Sequence, residues 1–406
     1  MDGCINVIFY LFYRSESRQE YTYLKVTLKG APLLIMATKK KVAILGTRGF
    51  PSYYGGFETA LRVLVPYLAK EGWCISVYGR KRHVNPSEEV DMKNITSVIT
   101  KGIDRKTLST LSYGATATLH ILRNRPDIVL VMNVANGFFI PVLKIFGIKV
   151  VVNVDGIEWQ RDKWNKLGKI LFKLGAILTA RFADQLIADS KEIARIWKKE
   201  FNRELVYLPY GSTKYFDLPP THTFPINDYI LFVARLVPEN SIVPFLDAIE
   251  EIPNRNVVIV GREAQPGDYE KRITEMTRSK SNVHWLKHIE NQSHLASLWK
   301  YCGLYFHGHT VGGTNPALVQ AMSLSAPTLA VDTAFNREVL GALGTFTQNS
   351  PQEIANSINH FFTEHVEKRK LTKQIAERAD QEFNWKSVCA GYQKTFNEVL
   401  GHPDLI

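Results

Sequence analysis

The run from His307 to Met322, HGHTVGGTNPALVQAM, gathers residue types that handle a charged ligand. An apolar LYFH segment leads into a Gly-Gly turn, and Pro316 stands where a helix favours its first residue. The amides of Gly313, Thr314 and Asn315 would then face whatever lies beyond the strand, and free amides at a helix start attract anions. His307 and His309 form an HxH pair, but no third ligand stands at helpful spacing, so no metal site is predicted. A second concentration is GTRGFPSYYGGFE, Gly46 to Glu58. Gly49, Gly55 and Gly56 permit tight turns and close approach of backbone to a ligand, with Tyr54 and Glu58 beside them. It is neither a GxGxxG fingerprint nor a P-loop, and two readings stand: a ligand-binding loop, or a turn. Asp155 and Glu158 follow the buried run KVVVNV directly. Ser190 follows another such run, either as a cap of the helix beginning at Lys191 or as a ligand contact. Arg235, in ARLVPEN with Glu239 and Asn240, is a cation suited to bidentate phosphate contact, or else a surface arginine.

These groups need elements to hold them. From Lys41 onward, short apolar runs alternate with amphipathic segments: VAILG (42–46), CISVYG (74–79), DIVLVM (127–132), KVVVNV (149–154) and QLIADS (185–190). After a Pro-rich stretch at 217–225 the pattern restarts with YILFVA (229–234), NVVIVG (256–261), NVHWL (282–286), LYFHG (304–308) and PTLAVD (327–332). Such alternation predicts an α/β protein with two successive doubly wound parallel sheets. In these sheets ligands bind beyond the carboxyl ends of the strands, where the groups above fall.

The chain has 406 residues with 45% apolar and 22% charged side chains, which excludes disordered, collagenous and disulfide-scaffold classes. Its net charge of +11 is uneven: 36–211 hold 28 basic and 15 acidic residues, 212–406 hold 18 and 21. The four cysteines are scattered and read as reduced thiols of a cytoplasmic protein. Residues 128–154 are too interrupted by polar groups and Pro141 to span a membrane. Met36, followed by ATKKK and a clean strand, reads as the biological start, with 1–35 as non-native or disordered leader; a genuine N-terminal extension is the alternative.

GTRGFPSYYGGFE, VDGIEWQRDKW, LPYGS, ARLVPEN, HGHTVGGTNPALVQAM and FNREV occur in that order. Jointly they resemble family-4 retaining glycosyltransferases of the GT-B fold, and the first half resembles the rhamnosyltransferase-type subgroup of bacterial polysaccharide synthesis. The resemblance implies two Rossmann-like domains facing a cleft: an acceptor-side domain (36–211), a linker (212–228) and a donor-side domain (229–384). A C-terminal helix (385–406) would cross back to the first domain. It also implies a nucleotide-sugar substrate, with dTDP-L-rhamnose favoured, and no cofactor or metal. Arg235 would hold the donor diphosphate and Gln320 the ribose, with Glu239, Tyr210 and Gly211 also at the ligand. Asp155, where a His is usual, and Glu58 would orient the acceptor. Asn240 stands where Lys is common, and Gly312 and Gln320 replace a Glu-x7-Glu pair. A nucleotide-sugar 2-epimerase and a catalytically weak sugar-nucleotide-binding homologue remain as alternatives.

Between Lys163 and Arg181, Trp164, Leu167, Leu171, Leu174 and Leu178 recur at helical spacing beside Lys163, Lys166, Lys169 and Lys173. One reading is a helix packed by its leucines on the sheet with a solvated basic face. The other is a surface that meets anionic lipid and reaches a lipid-linked or oligosaccharide acceptor, making the protein peripheral on the inner plasma-membrane face. Nucleic acid is not an expected partner, since no binding module is present.

Overall fold

The computed structural model describes residues 7–9, 21–28, 31–52, 55–80, 92–103, 108–161, 164–220, 223–252, 255–263, 266–363 and 365–401. Tyr54 and Lys163, both singled out from the sequence, lie outside the described residues.

Near the N-terminus, β1 (Val7–Phe9), β2 (Tyr21–Leu28) and β3 (Ala31–Thr38) form an antiparallel sheet in which Met36 pairs with Tyr23. The sequence offered no element there. The first domain then runs β4 (Lys41–Leu45), α1 (Gly56–Lys70), β5 (Cys74–Gly79), β6 (Ile95–Ile99), α2 (Leu108–Asn124) and β7 (Ile128–Met132). It continues with α3 (Ile140–Ile145), β8 (Lys149–Asn153), α4 (Lys166–Phe182), β9 (Gln185–Ala188), α5 (Lys191–Phe201) and β10 (Val206–Tyr207). The second domain opens with β11 (Tyr229–Val233), α6 (Ile242–Glu250), β12 (Asn256–Val260), α7 (Asp268–Ser279), β13 (Val283–Lys287) and α8 (Gln292–Tyr301). Next come β14 (Leu304–His307), α9 (Pro316–Ser323), β15 (Thr328–Val331), α10 (Ala334–Leu340) and β16 (Thr345–Thr347). Three helices finish the chain: α11 (Pro351–Thr363), α12 (His365–Glu382) and α13 (Trp385–Val399).

Each domain is a parallel sheet, ordered β10-β9-β8-β7-β4-β5-β6 in the first and β13-β12-β11-β14-β15-β16 in the second. Strand order reverses beside β4 and beside β11, and the loops leaving those strands split toward opposite faces. That leaves a crevice at each reversal. Helices cover both faces, so the central strands β7, β14 and β15 are buried along their whole length. This is why they read as apolar runs. The edge strands β6, β10 and β16 lack that signature and were not predicted.

Helix α13 packs Trp385, Val388, Cys389, Tyr392 and Phe396 into the first domain's core with Leu61, Leu64 and Ile75. The predicted return of the C-terminus is present. Helix α4 departs from expectation. It buries Gly168, Gly175, Ala176 and Thr179, while Leu167 and Leu174 face solvent and Leu171 and Leu178 are half-buried. The cause is a close approach: a Cβ on Gly137 would lie 2.1 Å from the Gly175 carbonyl oxygen. Small residues, not leucines, let the helix sit on the turn at 134–139.

Candidate functional site

The two reversals face each other across a cleft of about 700 Å³, lined by both domains. In the first wall, β8 ends at Asn153 and the chain turns sharply through Asp155, held at φ 59°, a left-handed conformation uncommon for a residue with a Cβ. Asn133 Nδ2 donates to Asp155 Oδ2 (2.9 Å), and the Asp155 amide donates to Asn153 Oδ1 (3.0 Å). Asn153 Nδ2 in turn donates to Tyr392 Oη (2.7 Å), so α13 braces the turn. Burial raises the Asp155 carboxyl above its ordinary value and the Glu158 charge adds to this; Arg161 and the Asn133 bond oppose it.

Glu158 is almost wholly buried and fully engaged. Its Oε1 meets Arg161 Nε at 2.9 Å, and its Oε2 accepts from Trp164 Nε1 at 2.7 Å. It orients Arg161 and Trp164, both of which line the cleft. Asp189, at the carboxyl end of β9, is the residue sequence reasoning passed over in favour of its neighbour Ser190. Only 4% of it is exposed, its Oδ1 meets no hydrogen-bond partner among the described residues, and it lines the cleft. Burial, with the Asp155 charge beside it, pushes the Asp189 carboxyl well above the usual carboxylate range. Its position after a strand was the available signal. Ser190 itself caps α5, accepting from the amides of Glu192 and Ile193.

Loop 46–55 meets the same wall. Glu58 lies in the first turn of α1, where its Oε1 accepts from the Arg48 amide (3.0 Å) and its own amide also bonds the carboxylate. The helix start that the sequence offered to an external anion thus already holds a carboxylate. Burial nonetheless raises Glu58. Gly55, Gly56 and Glu58 face the cleft; Gly49 supports it from behind, against Gly79. Tyr210 lies buried beside Gly56, and burial raises its phenol well above the ordinary value. Gly211 has a packing role: a Cβ there would stand 2.7 Å from Trp385.

In the second wall, Arg235 leaves β11 exposed to the cleft. Asn240 also lines the cleft. It is buried, its Nδ2 donating to the Arg235 carbonyl (2.8 Å), so it fixes the loop that presents Arg235. Both carboxylate oxygens of Glu239 are buried without a hydrogen-bond partner among the described residues, at the cleft wall. They are acceptors suited to sugar hydroxyls. His307 and His309 stack with ring centroids 4.4 Å apart. His309 lines the cleft, whereas His307 lies behind it, bonded through Nδ1 to Tyr305 Oη (2.9 Å). Placing His307 at the ligand is therefore a correction to make: its strand runs into the core before the loop turns outward. Burial lowers His307 to about 3 and takes His309 well below its ordinary value, so both rings are neutral near pH 7.

Gly313, Thr314 and Asn315 line the cleft at the start of α9, and Asn315 Oδ1 caps that helix through the Ala317 amide (2.9 Å). Gly313 is required by the other domain, since a Cβ there would stand 1.9 Å from Asp189 Oδ1. Thr314 Oγ1 donates to the Asp189 carbonyl across the same contact. Gln320 is occupied: its Oε1 accepts from the Thr213 amide and its Nε2 donates to the Thr213 carbonyl, each at 2.9 Å. Glutamate has no donor for that carbonyl, which accounts for an amide here. Glu338, in the FNREV run, was not foreseen. It accepts from Ser190 Oγ (2.8 Å) and from the amides of Lys191 (2.7 Å) and Glu192 (3.1 Å), at the start of α5 in the opposite domain. These contacts hold the two walls together.

Compared with curated proteins by sequence, the chain matches none. Residues 39–213 match a domain of unknown function, DUF1972. Residues 222–381 match the family described as Glycosyl transferases group 1. The second domain is a glycosyl transferase group 1 domain. Among solved structures, the chain is similar to sucrose-phosphate synthase from Thermosynechococcus elongatus at 14% identity and TM-score 0.76, covering 89% of this chain and all of that one. It is similar at 17% identity and TM-score 0.67 to Anabaena HepE, solved with UDP and glucose, covering 88% of this chain and 99% of that one. A proposed UDP-N-acetylglucosamine 2-epimerase from Listeria monocytogenes is similar at 14% identity and TM-score 0.62, over 91% and 98%. The glycosyl transferase group 1 domain thus sits within a complete GT-B fold.

Proposed function

We propose that the chain is a retaining glycosyltransferase, moving a sugar from a nucleotide-sugar to a hydroxyl of a glycan acceptor. The observation that carries this is the pairing of walls: Arg235 and the amides that open α9 on one side, buried carboxyls on the other, across one cleft. Glycosyl transfer passes through an oxocarbenium-like state while negative charge grows on the departing diphosphate. Arg235 and the α9 start meet that charge without calling on a metal ion. Glu239 accepts hydroxyls of the sugar or ribose. Same-face attack needs no strong enzymatic base; Asp155 and Asp189 hydrogen-bond the acceptor hydroxyl. Closure, held by Glu338, Thr314 and Gln320, excludes the water that would hydrolyse the donor.

L-Rhamnose from a dTDP donor, and a role in bacterial cell-surface polysaccharide synthesis, rest on the motifs of the first half. A lipid-linked acceptor, with the enzyme cytoplasmic and peripheral on the inner face of the membrane, is supported by that domain's basic charge. Among the described residues no helix is long and apolar enough to cross a membrane. Incubation with a panel of nucleotide-sugars, with and without acceptor, tests the proposal. Acceptor-dependent release of nucleoside diphosphate is expected. An isomerised sugar without release would establish an epimerase instead, and binding without turnover an inactive homologue.

A further inference from the structure

The outward face of α4 is apolar. Leu167, Ile170, Leu174 and Ile177 recur along one stripe of the helix, each with 45–61% of its surface exposed. Beside it α3 exposes Val142 and Ile145, followed by Phe146; Ile145 is 81% exposed. Scattered exposed leucines are ordinary, but a continuous ridge on two adjacent helices marks a contact surface. Its charge is one-sided. Residues 140–149 and 164–182 hold Lys144, Lys149, Lys166, Lys169, Lys173 and Arg181 and no carboxylate. Among the described residues, acids of neighbouring segments pair with part of this charge: Asp184 with Lys144 and Lys149, and Glu200 with Lys173.

We propose that the α3–α4 ridge is a membrane-docking surface, its apolar stripe entering an anionic bilayer while the flanking lysines and Arg181 meet the headgroups. An apolar stripe bordered by basic residues on a surface helix is the arrangement that lies in a lipid interface. A soluble acidic partner would match the charge but leave Ile145 and Leu167 without apolar cover. The ridge also shares its elements with the cleft: Trp164 and Phe172, their rings tilted at 42° with centroids 4.9 Å apart, line the cleft. Docking there brings the acceptor side of the cleft to the lipid surface. This deepens the lipid-linked-acceptor part of the proposed function, but the surface is argued from exposure and charge alone.

Sedimentation of the full chain with phosphatidylcholine vesicles, with and without phosphatidylglycerol, tests it. Binding is expected to phosphatidylglycerol-containing vesicles and to be at least tenfold weaker to neutral ones. The double variant Ile170→Glu, Leu174→Glu should lose at least tenfold in vesicle binding. Its thermal melting and its turnover on a water-soluble acceptor should stay unchanged, because both positions are solvent-exposed and outside the cleft. A charge-reversal variant, Lys166→Glu with Arg181→Glu, should lose binding most at low salt. Absence of vesicle binding, or equal binding by the Glu double variant, would overturn the proposal. So would a concentration-dependent dimer of the wild type that this variant abolishes, since a second copy would then cover the ridge. Vesicle binding without sugar transfer would sustain the docking surface and reject the glycosyltransferase reading.

Discussion

The two walls of the cleft solve one electrostatic problem with opposite groups. The first wall holds acids whose carboxyls burial raises, Asp189 above all, with Asp155 and Glu58 raised in the same direction. The second holds bases that burial keeps neutral, His307 and His309. Burial shifts these groups toward their neutral forms, which leaves much of the charge at the cleft to arginines, among them Arg161 from the first wall and Arg235 from the second. Arg161 is already balanced by Glu158; Arg235, exposed on its own wall, is the better placed to meet a diphosphate. The lesson is that clustered ionisable side chains need not mean clustered charge.

Removing Arg235 should break the comparison most severely. Arg235→Ala should lower acceptor-dependent nucleotide release on the order of 10²- to 10³-fold, as loss of one main stabiliser of developing charge does. Unchanged turnover and donor affinity would place the diphosphate elsewhere.

The pH behaviour of the walls should separate next, in opposite directions. His307 titrates at about 3 in the folded chain but near 6.5 when unfolded, so the unfolded state takes up the proton first. Stability is therefore lost as pH falls from about 6.5 toward about 3, with a slope of at most about 1.4 kcal/mol per pH unit from this residue. Urea unfolding at several pH values should show a shallower acid slope for His307→Asn. Asp189 is raised, so its sign is reversed: stability falls as pH climbs from the ordinary aspartate value through the raised one. Asp189→Asn should flatten that limb in thermal melts while lowering acceptor-dependent turnover by about a hundredfold, the low end for a positioned proton-handling group.

The contact between walls should respond least. Glu338→Gln removes a carboxylate from the start of α5, worth about 1 kcal/mol and so about fivefold in the ratio of closed to open molecules. Fluorescence transfer between labels on the two domains would measure it.

The sequence revealed what depends on local pattern. Fully buried parallel strands appear as apolar runs, and the rule that ligands lie beyond their carboxyl ends located Asp155, Arg235 and the 307–315 loop before any coordinates. It misled where periodicity had to be given a direction. Leucines at helical spacing announce that α4 is amphipathic, but only the approach of Gly137 to Gly175 decides that Leu167 and Leu174 face outward. It was silent on pairings over long separations: Glu338 with α5, and Gln320 with Thr213, across 107 residues. Gln320 and Asn240 looked like weakened ligand groups; both line the cleft and both also clasp backbone. No spacing encodes that second role.

The chain passes between its domains twice, and the two passages touch: Ser212 bridges to Asn384, its amide donating to the Phe383 carbonyl at 2.8 Å. Because α13 then fills the first domain's core, a segment made after the second domain completes the first. During synthesis that domain must wait with Leu61, Leu64 and Ile75 incompletely covered until the ribosome has delivered everything up to Phe396. The crossing between the domains is also the seam at which folding of the first half waits for the second.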